Sequence, residues 1–171
     1  MPEITLRFVT SDTMISRFIR VEAGVSMPFT PSHVEAVSRD GKSYTGMHIN
    51  GGCLARPIGY DADEPNLKEK FVPLPVNQEQ FETFHAYIES KIGEPYDWKA
   101  IIGFLDDWQH LHEFEHMICS AFMLLALRAP IPSPAEGEAS VFFRWPLTKP
   151  AHRVSPDLLL AILSTHVQID H

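Results

Sequence analysis

The residue of this chain best suited to nucleophilic chemistry is Cys119, which opens the sequence Cys-Ser-Ala-Phe. An apolar run follows it to Leu127, and we predict a buried helix that begins near Met117 to Cys119. The oriented N–H groups at a helix N-terminus favour a thiolate over a thiol. Cys119 is therefore a candidate nucleophile, and its backbone N–H is a candidate oxyanion donor. The alternative is an ordinary packing residue, because free cysteine is among the most buried residue types.

A histidine that could act as the base comes much earlier in the chain. His33 heads a predicted strand, and Glu35 follows two residues later. Side chains two apart leave the same face of a strand, so the two groups lie side by side. A carboxylate beside an imidazole orients the ring and stabilises its charged form. An ordinary exposed polar face has the same His-x-Glu pattern, and spacing alone does not separate the two interpretations.

A second set of residues would support metal chemistry instead. His112-Glu113-Phe114-Glu115-His116 is a literal H-E-x-x-H, whose two histidines could bind zinc from one helical face with Glu113 as the base. That site needs a helix through residues 112–116, whereas a Cys119 at a helix N-terminus needs those residues to be irregular. We favour the second arrangement, in which this solvated His/Glu run connects two helices.

The segments on either side of His33 in the chain are predicted to form antiparallel strands, and these strands must position the histidine. Residues 4–9 alternate as a half-buried strand does, and residues 32–47 form two predicted strands around an Asp40-Gly41 turn. Further strands are predicted from Cys53 and over residues 70–76, the latter at a sheet edge because its prolines cannot donate to a ladder. These segments predict an antiparallel meander.

Most predicted helices follow the strands. Asn77 caps a helix that Gly93 closes. Others are predicted over residues 12–19, 96–105, 118–127 and 156–167. With no internal repeat and no low-complexity linker, the chain is expected to form a single α+β domain over residues 1–171.

The composition excludes several classes of protein. Hydrophobic residues make up 44% and charged residues 21%, which is typical of a soluble globular chain. A net charge of −8 repels phosphate backbones and anionic lipids, so we expect no nucleic-acid partner and no membrane partner. We find neither a signal peptide nor a membrane-spanning apolar run, which predicts a cytoplasmic protein. We interpret Cys53 as a free thiol that packs in the core. Because we do not favour the zinc interpretation of His112 and His116, we expect no cofactor.

Three groups of residues, in their order along the chain, resemble the circularly permuted branch of the NlpC-like, papain-fold cysteine peptidases and amidases. They are Ser32-His33-Val34-Glu35 with its Asp40-Gly41 turn, Gly93-x-x-Tyr96-Asp97-Trp98, and Cys119-Ser120. That branch includes the YiiX-like proteins of phages and bacteria, and in it the histidine strand precedes the cysteine helix. The resemblance covers residues 12–128 and depends on the ordered set. It implies a papain-like (permuted NlpC-type) antiparallel sheet packed against helices.

The resemblance also implies roles for the matched residues. Cys119 matches the nucleophile, His33 the base, and Tyr96 a tyrosine that borders the substrate site. The third polar residue is left open between Glu35, which we choose, and three residues of the neighbouring strand: Thr45, His48 and Asn50. Relatives often read Cys-Ser-Glu where this chain has Ala121, so its specificity or activity is expected to differ.

The expected function is thiol-dependent hydrolysis of an amide bond in a small peptide or amide substrate. Family analogy points to peptides, cell-wall stem peptides among them, although a fold does not determine a substrate. A non-catalytic binding module on the same fold is one alternative. Another is a lipid acyltransferase of the lecithin:retinol type, which uses the same Cys and His but usually carries a membrane anchor that we do not find. The third is a zinc metalloprotease that uses His112, Glu113 and His116.

Overall fold

The computed structural model describes residues 1–10, 29–48, 51–95, 114–129 and 154–167. This part of the chain contains five strands and three helices, which agrees with the predicted α+β class. They are β1 (Glu3–Thr10), β2 (His33–Val37), β3 (Ser43–His48), β4 (Gly52–Pro57), β5 (Lys68–Pro75), α1 (Gln78–Lys91), α2 (Phe114–Leu127) and α3 (Pro156–Val167). The helices predicted over residues 12–19 and 96–105 lie outside the described residues.

The strands form one antiparallel sheet in the order β4-β3-β2-β1-β5. The first four follow one another as a meander, and Gly41 takes a φ of 69° in the turn between β2 and β3. The fifth departs from the predicted meander, because β5 crosses back to pair with β1 along its whole length. β5 is an edge strand, as its prolines predicted, and β1 becomes an interior strand.

The helix ends follow local capping rules. The side chain of Asn77 accepts a hydrogen bond from the backbone N–H of Gln80, whose side chain accepts one from the backbone N–H of Asn77. This reciprocal pair satisfies two N–H groups that the first turn leaves without helical partners, and it confirms the predicted start of α1. Gly93, with a φ of 83°, follows the helix. α3 begins at Pro156, also as predicted, because a first-turn proline lacks an N–H that would be unpaired anyway.

The core lies between one face of the sheet and the three helices. β1 contributes three fully buried side chains to this core, Ile4, Leu6 and Phe8. From α2, Met123 is fully buried and Leu124 almost so. α2 is the central helix, since it contacts β2, β3, α1 and α3. None of the helices in the described ranges is long and apolar enough to cross a membrane.

The start of α2 differs from the sequence prediction. The helix begins at Phe114, so Cys119 is its sixth residue. Only the first four N–H groups of a helix lack an intrahelical partner. The prediction that Cys119 lies at a helix N-terminus, with its N–H as the oxyanion donor, is therefore wrong. The prediction that the His/Glu run is irregular is also wrong over residues 114–116, which are helical. No glycine or proline interrupts residues 112–119, which explains why the helix extends further back than its apolar run.

Candidate active site

Three side chains predicted from the sequence as nucleophile, base and orienting group come together. His33 and Glu35 leave the same face of β2, and Nε2 of His33 lies 3.4 Å from Oε1 of Glu35. Cys119, on α2, is a hydrogen-bonding neighbour of the His33 ring. The structure thus places a thiol, an imidazole and a carboxylate in one connected group.

A second imidazole faces the same carboxylate oxygen. Nε2 of His48, at the end of β3, lies 3.3 Å from Oε1 of Glu35, and its ring centroid is 4.8 Å from that of His33. Thr45 lies opposite Ala36, which places it on the other face of the sheet from Glu35. Asn50 and Tyr96 lie outside the described residues. Of the four candidates for the third polar residue, Glu35 and His48 are therefore the two that the structure places beside His33.

Glu35 is held by two further residues that the sequence analysis missed. Its Oε2 accepts a hydrogen bond from Arg7 at 3.0 Å, and its Oε1 accepts one from the Tyr60 hydroxyl at 2.9 Å. The guanidinium of Arg7 also donates to Asp61 at 2.9 Å and to Glu69 at 2.8 Å. Both Arg7 and Glu35 are almost completely buried. One buried cation thus binds three carboxylates, and one of these faces the histidines.

The electrostatics of the site assign a different charge to each histidine. Burial raises the pKa of Glu35, but the facing rings of His33 and His48 and the hydrogen bond from Tyr60 hold it well below its usual range. Burial lowers the pKa of His33, yet the adjacent Cys119 and Glu35 raise it to about 10. Burial lowers the pKa of His48, and this effect outweighs the contribution of Glu35. At neutral pH the site therefore favours an ionised carboxylate, a charged His33 and a neutral His48.

The same group includes potential metal ligands. Among the described residues, donor atoms of His33, Glu35 and His48 lie within 4.8 Å of one another. Bonds of about 2.1 Å to one zinc ion place two ligands at most about 4.2 Å apart, so a zinc ion would need the rings to move inward. A proton on His33 would also compete with the ion. His112 of the H-E-x-x-H motif lies outside the described residues, so the zinc alternative there is not tested.

Two sequence signals could have pointed to the missed residues. Arg7 is a charged residue between Leu6 and Phe8 in an otherwise apolar stretch of β1, and a buried charge needs partners. Gly46 lies within β3, where an added Cβ would come within 3.0 Å of Cγ of Glu35. A glycine inside a strand often marks such a close approach. Tyr60 and Asp61 lie in a turn with no comparable signal.

Comparison of the chain with protein-family models, with curated proteins and with solved structures finds no match. The resemblance to permuted papain-fold enzymes therefore depends on the quoted residues alone. A functional proposal can therefore draw on the geometry of the site and on those quoted residues.

Proposed function

We propose that this chain is a thiol-dependent hydrolase of amide bonds with a permuted papain-like fold, in which Cys119 is the nucleophile and His33 the base. One observation carries the proposal: Cys119 of α2 contacts His33 of β2, whose Nε2 faces the buried carboxylate of Glu35. A nucleophile in contact with a base, and a base held by a third group, is the arrangement that activates a weak nucleophile.

The chemistry of this arrangement balances without a cofactor. The proton of the Cys119 thiol resides on His33, which makes the ring an imidazolium, and the sulfur attacks the carbonyl carbon of the substrate as a thiolate. The imidazolium then gives its proton to the leaving nitrogen, the C–N bond breaks, and a thioester to Cys119 remains. Water, which loses a proton to the now neutral His33, hydrolyses the thioester, releases the acyl group as a carboxylic acid and restores the thiolate–imidazolium pair. Throughout, Nε2 of His33 faces Glu35, which leaves Nδ1 for the exchange with sulfur.

The electrostatic environment supports the first of these steps. Burial raises the pKa of Glu35, but the facing His33 and His48 and the hydrogen bond from Tyr60 depress it, so Glu35 keeps its negative charge. Burial lowers the pKa of His33, but Cys119 and then Glu35 raise it, because a negative charge next to an imidazole stabilises the imidazolium. An imidazolium in turn stabilises an adjacent thiolate better than a neutral ring does. The substrate class that goes with this chemistry is a peptide or another small amide, and it follows from the resemblance.

A non-catalytic binding module is the second candidate, and the burial of Cys119 favours it. The thiol has no exposed surface, whereas 22% of the His33 side chain is exposed. In the hydrolase, the substrate carbonyl must reach the sulfur from the exposed side of this ring. In a binding module, the same thiol serves only to pack α2 against the sheet.

Alkylation by iodoacetamide between pH 4 and pH 9, followed by mass spectrometry, separates the two candidates. The hydrolase predicts fast labelling of Cys119 well below the ordinary thiol pKa of about 8.5, and loss of this reactivity in His33→Ala. Cys53 is an internal control, because burial raises its pKa to about 11. His85→Ala is the matched variant, since it removes a buried histidine of α1. Labelling of Cys119 with ordinary thiol behaviour would contradict the hydrolase.

If Cys119 is activated, the next experiment is to screen the protein for hydrolysis of peptide amides, with Cys119→Ala as the negative control. We expect this variant to keep the circular dichroism spectrum of the wild type and to lose turnover completely. Turnover that survives the substitution would exclude Cys119 as the nucleophile.

A further inference from the structure

Glu35 differs from an ordinary partner of a histidine because each of its oxygens has an anchor outside the Cys119–His33 pair. Arg7 NH1 lies 3.0 Å from Oε2, and the Tyr60 hydroxyl lies 2.9 Å from Oε1. A carboxylate that accepts a hydrogen bond at one oxygen only can still rotate about that hydrogen bond, and its other oxygen then changes position. A carboxylate bound at both oxygens has one orientation.

We propose that Tyr60 and Arg7 are positioning residues, which act on His33 through Glu35 by fixing the plane of its carboxylate so that Oε1 faces the imidazole. This inference rests on the proposed thiol hydrolase and extends its machinery from three residues to five. Neither anchor touches the reacting atoms, so neither is a catalytic residue.

Arg7 is a rigid anchor because its other nitrogens are bound elsewhere. Its NH2 nitrogen donates to both oxygens of Asp61, at 3.1 and 2.9 Å, and its Nε donates to Glu69. The ring of Tyr44 stacks on the guanidinium, 4.2 Å from centroid to carbon. The planar fork of arginine is held from three sides, so the position of Oε2 is determined by β1 and its neighbours rather than by Glu35 itself.

Tyr60 reaches Oε1 from a separate segment, the turn that follows β4. Its backbone N–H donates to Pro57 at 3.1 Å, and the Arg56 guanidinium lies 4.8 Å from the centroid of its ring. Burial and the charge of Glu35 raise the pKa of Tyr60 far above neutrality, so its hydroxyl stays a donor. Because the phenol occupies one acceptor direction of Oε1, the carboxylate cannot turn that oxygen away from the histidines.

The charged and titratable groups around Glu35 come from every element packed against it. They are Arg7 of β1, His33 of its own strand, Tyr44 and His48 of β3, Tyr60 of the turn after β4, and Cys119 of α2 by way of His33. Of the two anchors that donate a hydrogen bond to Glu35, Tyr60 can be altered by one atom without changing a formal charge. It therefore offers the cleanest test.

The test is a double-mutant cycle between Tyr60→Phe and Glu35→Gln, with the rate of Cys119 alkylation at pH 6 as the first measurement. We expect Tyr60→Phe alone to slow labelling about threefold to tenfold, the factor that corresponds to one hydrogen bond of ordinary net strength. In the Glu35→Gln background it should cause no further slowing, because a residue that acts through Glu35 has nothing left to position. Tyr87→Phe, which removes a hydroxyl from a ring that packs against Phe122, is the matched control.

The second measurement is the titration of the His33 ring, followed by nuclear magnetic resonance in the same variants. A loosened carboxylate spends less time at the ring, so the midpoint should fall in Tyr60→Phe and fall further in Glu35→Gln. A merely structural tyrosine would leave the midpoint unchanged. Arg7→Lys keeps the charge but loses the fork of donors, and it should show the same dependence on Glu35.

The outcomes keep this inference separate from the proposed hydrolase. If Tyr60→Phe has no effect on either measurement, or slows labelling by the same factor in both backgrounds, the positioning role is refuted even though Cys119 is reactive. If wild-type Cys119 labels like an ordinary thiol, the hydrolase fails. In that case the His33 titration alone decides whether Tyr60 acts through Glu35.

Discussion

Replacing Arg7 with methionine should destabilise the fold by about 3–5 kcal/mol. Arg7 donates to Glu69 at 2.8 Å, to Asp61 at 2.9 Å and to Glu35 at 3.0 Å. Methionine retains the apolar character of the stem but supplies no donor. The substitution therefore removes the one cation shared by three carboxylates and leaves those charges in place.

The magnitude follows from how deeply each carboxylate is buried. The side chain of Glu35 is fully buried and that of Asp61 is 8% exposed, so water cannot replace the lost donor at either group. Glu69 is 42% exposed and can be hydrated, so it adds little. Glu35 keeps the Tyr60 hydroxyl and the facing His33, whereas Asp61 loses both hydrogen bonds from Arg7. Removing one partner from such a buried charged group costs about 3–5 kcal/mol, a large share of the ~5–15 kcal/mol that stabilises an ordinary domain.

Arg39→Met is the matched control, because Arg39 also binds two carboxylates. It pairs with Glu82 and Glu89 of α1, but its side chain is 37% exposed and both partners are about half exposed. Solvent screens such pairs, so each contributes little to stability. The comparison of Arg7 with Arg39 therefore isolates the effect of burial.

The cost of Arg7→Met should also depend on pH. In the wild type the pKa of Glu35 is held below its unfolded value of about 4.3. Its contribution to stability is therefore present above that value and lost as the pH falls through the folded-state pKa. In the variant the attraction of the Arg7 cation is lost, so the pKa of Glu35 rises from its wild-type value even though His33, His48 and Tyr60 still lower it. Protonation of Glu35 on acidification then relieves part of the penalty. The destabilisation should be largest at pH 7 and smaller at pH 4.

Urea unfolding followed by circular dichroism, at pH 7 and pH 4, measures these differences. The reasoning is refuted if Arg7→Met costs no more than Arg39→Met at pH 7. It is equally refuted if the difference between Arg7→Met and the wild type grows on acidification.

Two further substitutions test the packing around Glu35 and the start of α1. Gly46→Ala should lower the free energy of unfolding by about 1–3 kcal/mol and slow Cys119 alkylation, because the new Cβ lies 3.0 Å from Cγ of Glu35; an unchanged alkylation rate would mean that Glu35 yields without losing its orientation. Asn77→Ala should cost about 1 kcal/mol in urea unfolding, since the backbone N–H of Gln80 loses its acceptor, and it should leave alkylation unaffected. No loss of stability would show that the first turn does not depend on this cap.

Local patterns were sufficient to predict most of the elements. The alternation in β1, the turn at Gly41, and the cap at Asn77 each involve residues close in sequence, so their interactions can be deduced before any tertiary contact is known. The predicted start of α2 was wrong because it, too, was deduced from a local pattern. The prediction followed the apolar face, whereas the helix continues back to Phe114 because no residue there stops it.

The choice of strand partners could not be deduced locally. The outer edge of β4 is used by another segment, because the N–H of Cys53 donates to Glu94 and its carbonyl accepts from Gly93. β5 crosses back to pair with β1 rather than continuing beside β4. Neighbouring strands pair more often than not, so the meander was the natural expectation. Pairing with β1 places Phe71 opposite Arg7, and Arg7 also reaches Glu69 of this strand.

The sequence by itself determined that His33 and Glu35 share a strand face, because two residues apart in a strand always do, and it singled out Cys119 as the thiol to test. Only the tertiary structure decided what surrounds them. Arg7 and Tyr60 lie 28 and 25 residues from Glu35 along the chain, and they reach it through the register of β1 on β2 and the turn after β4. Register is set by which side chains the whole sheet buries, so no local pattern reveals which oxygen of Glu35 each anchor holds.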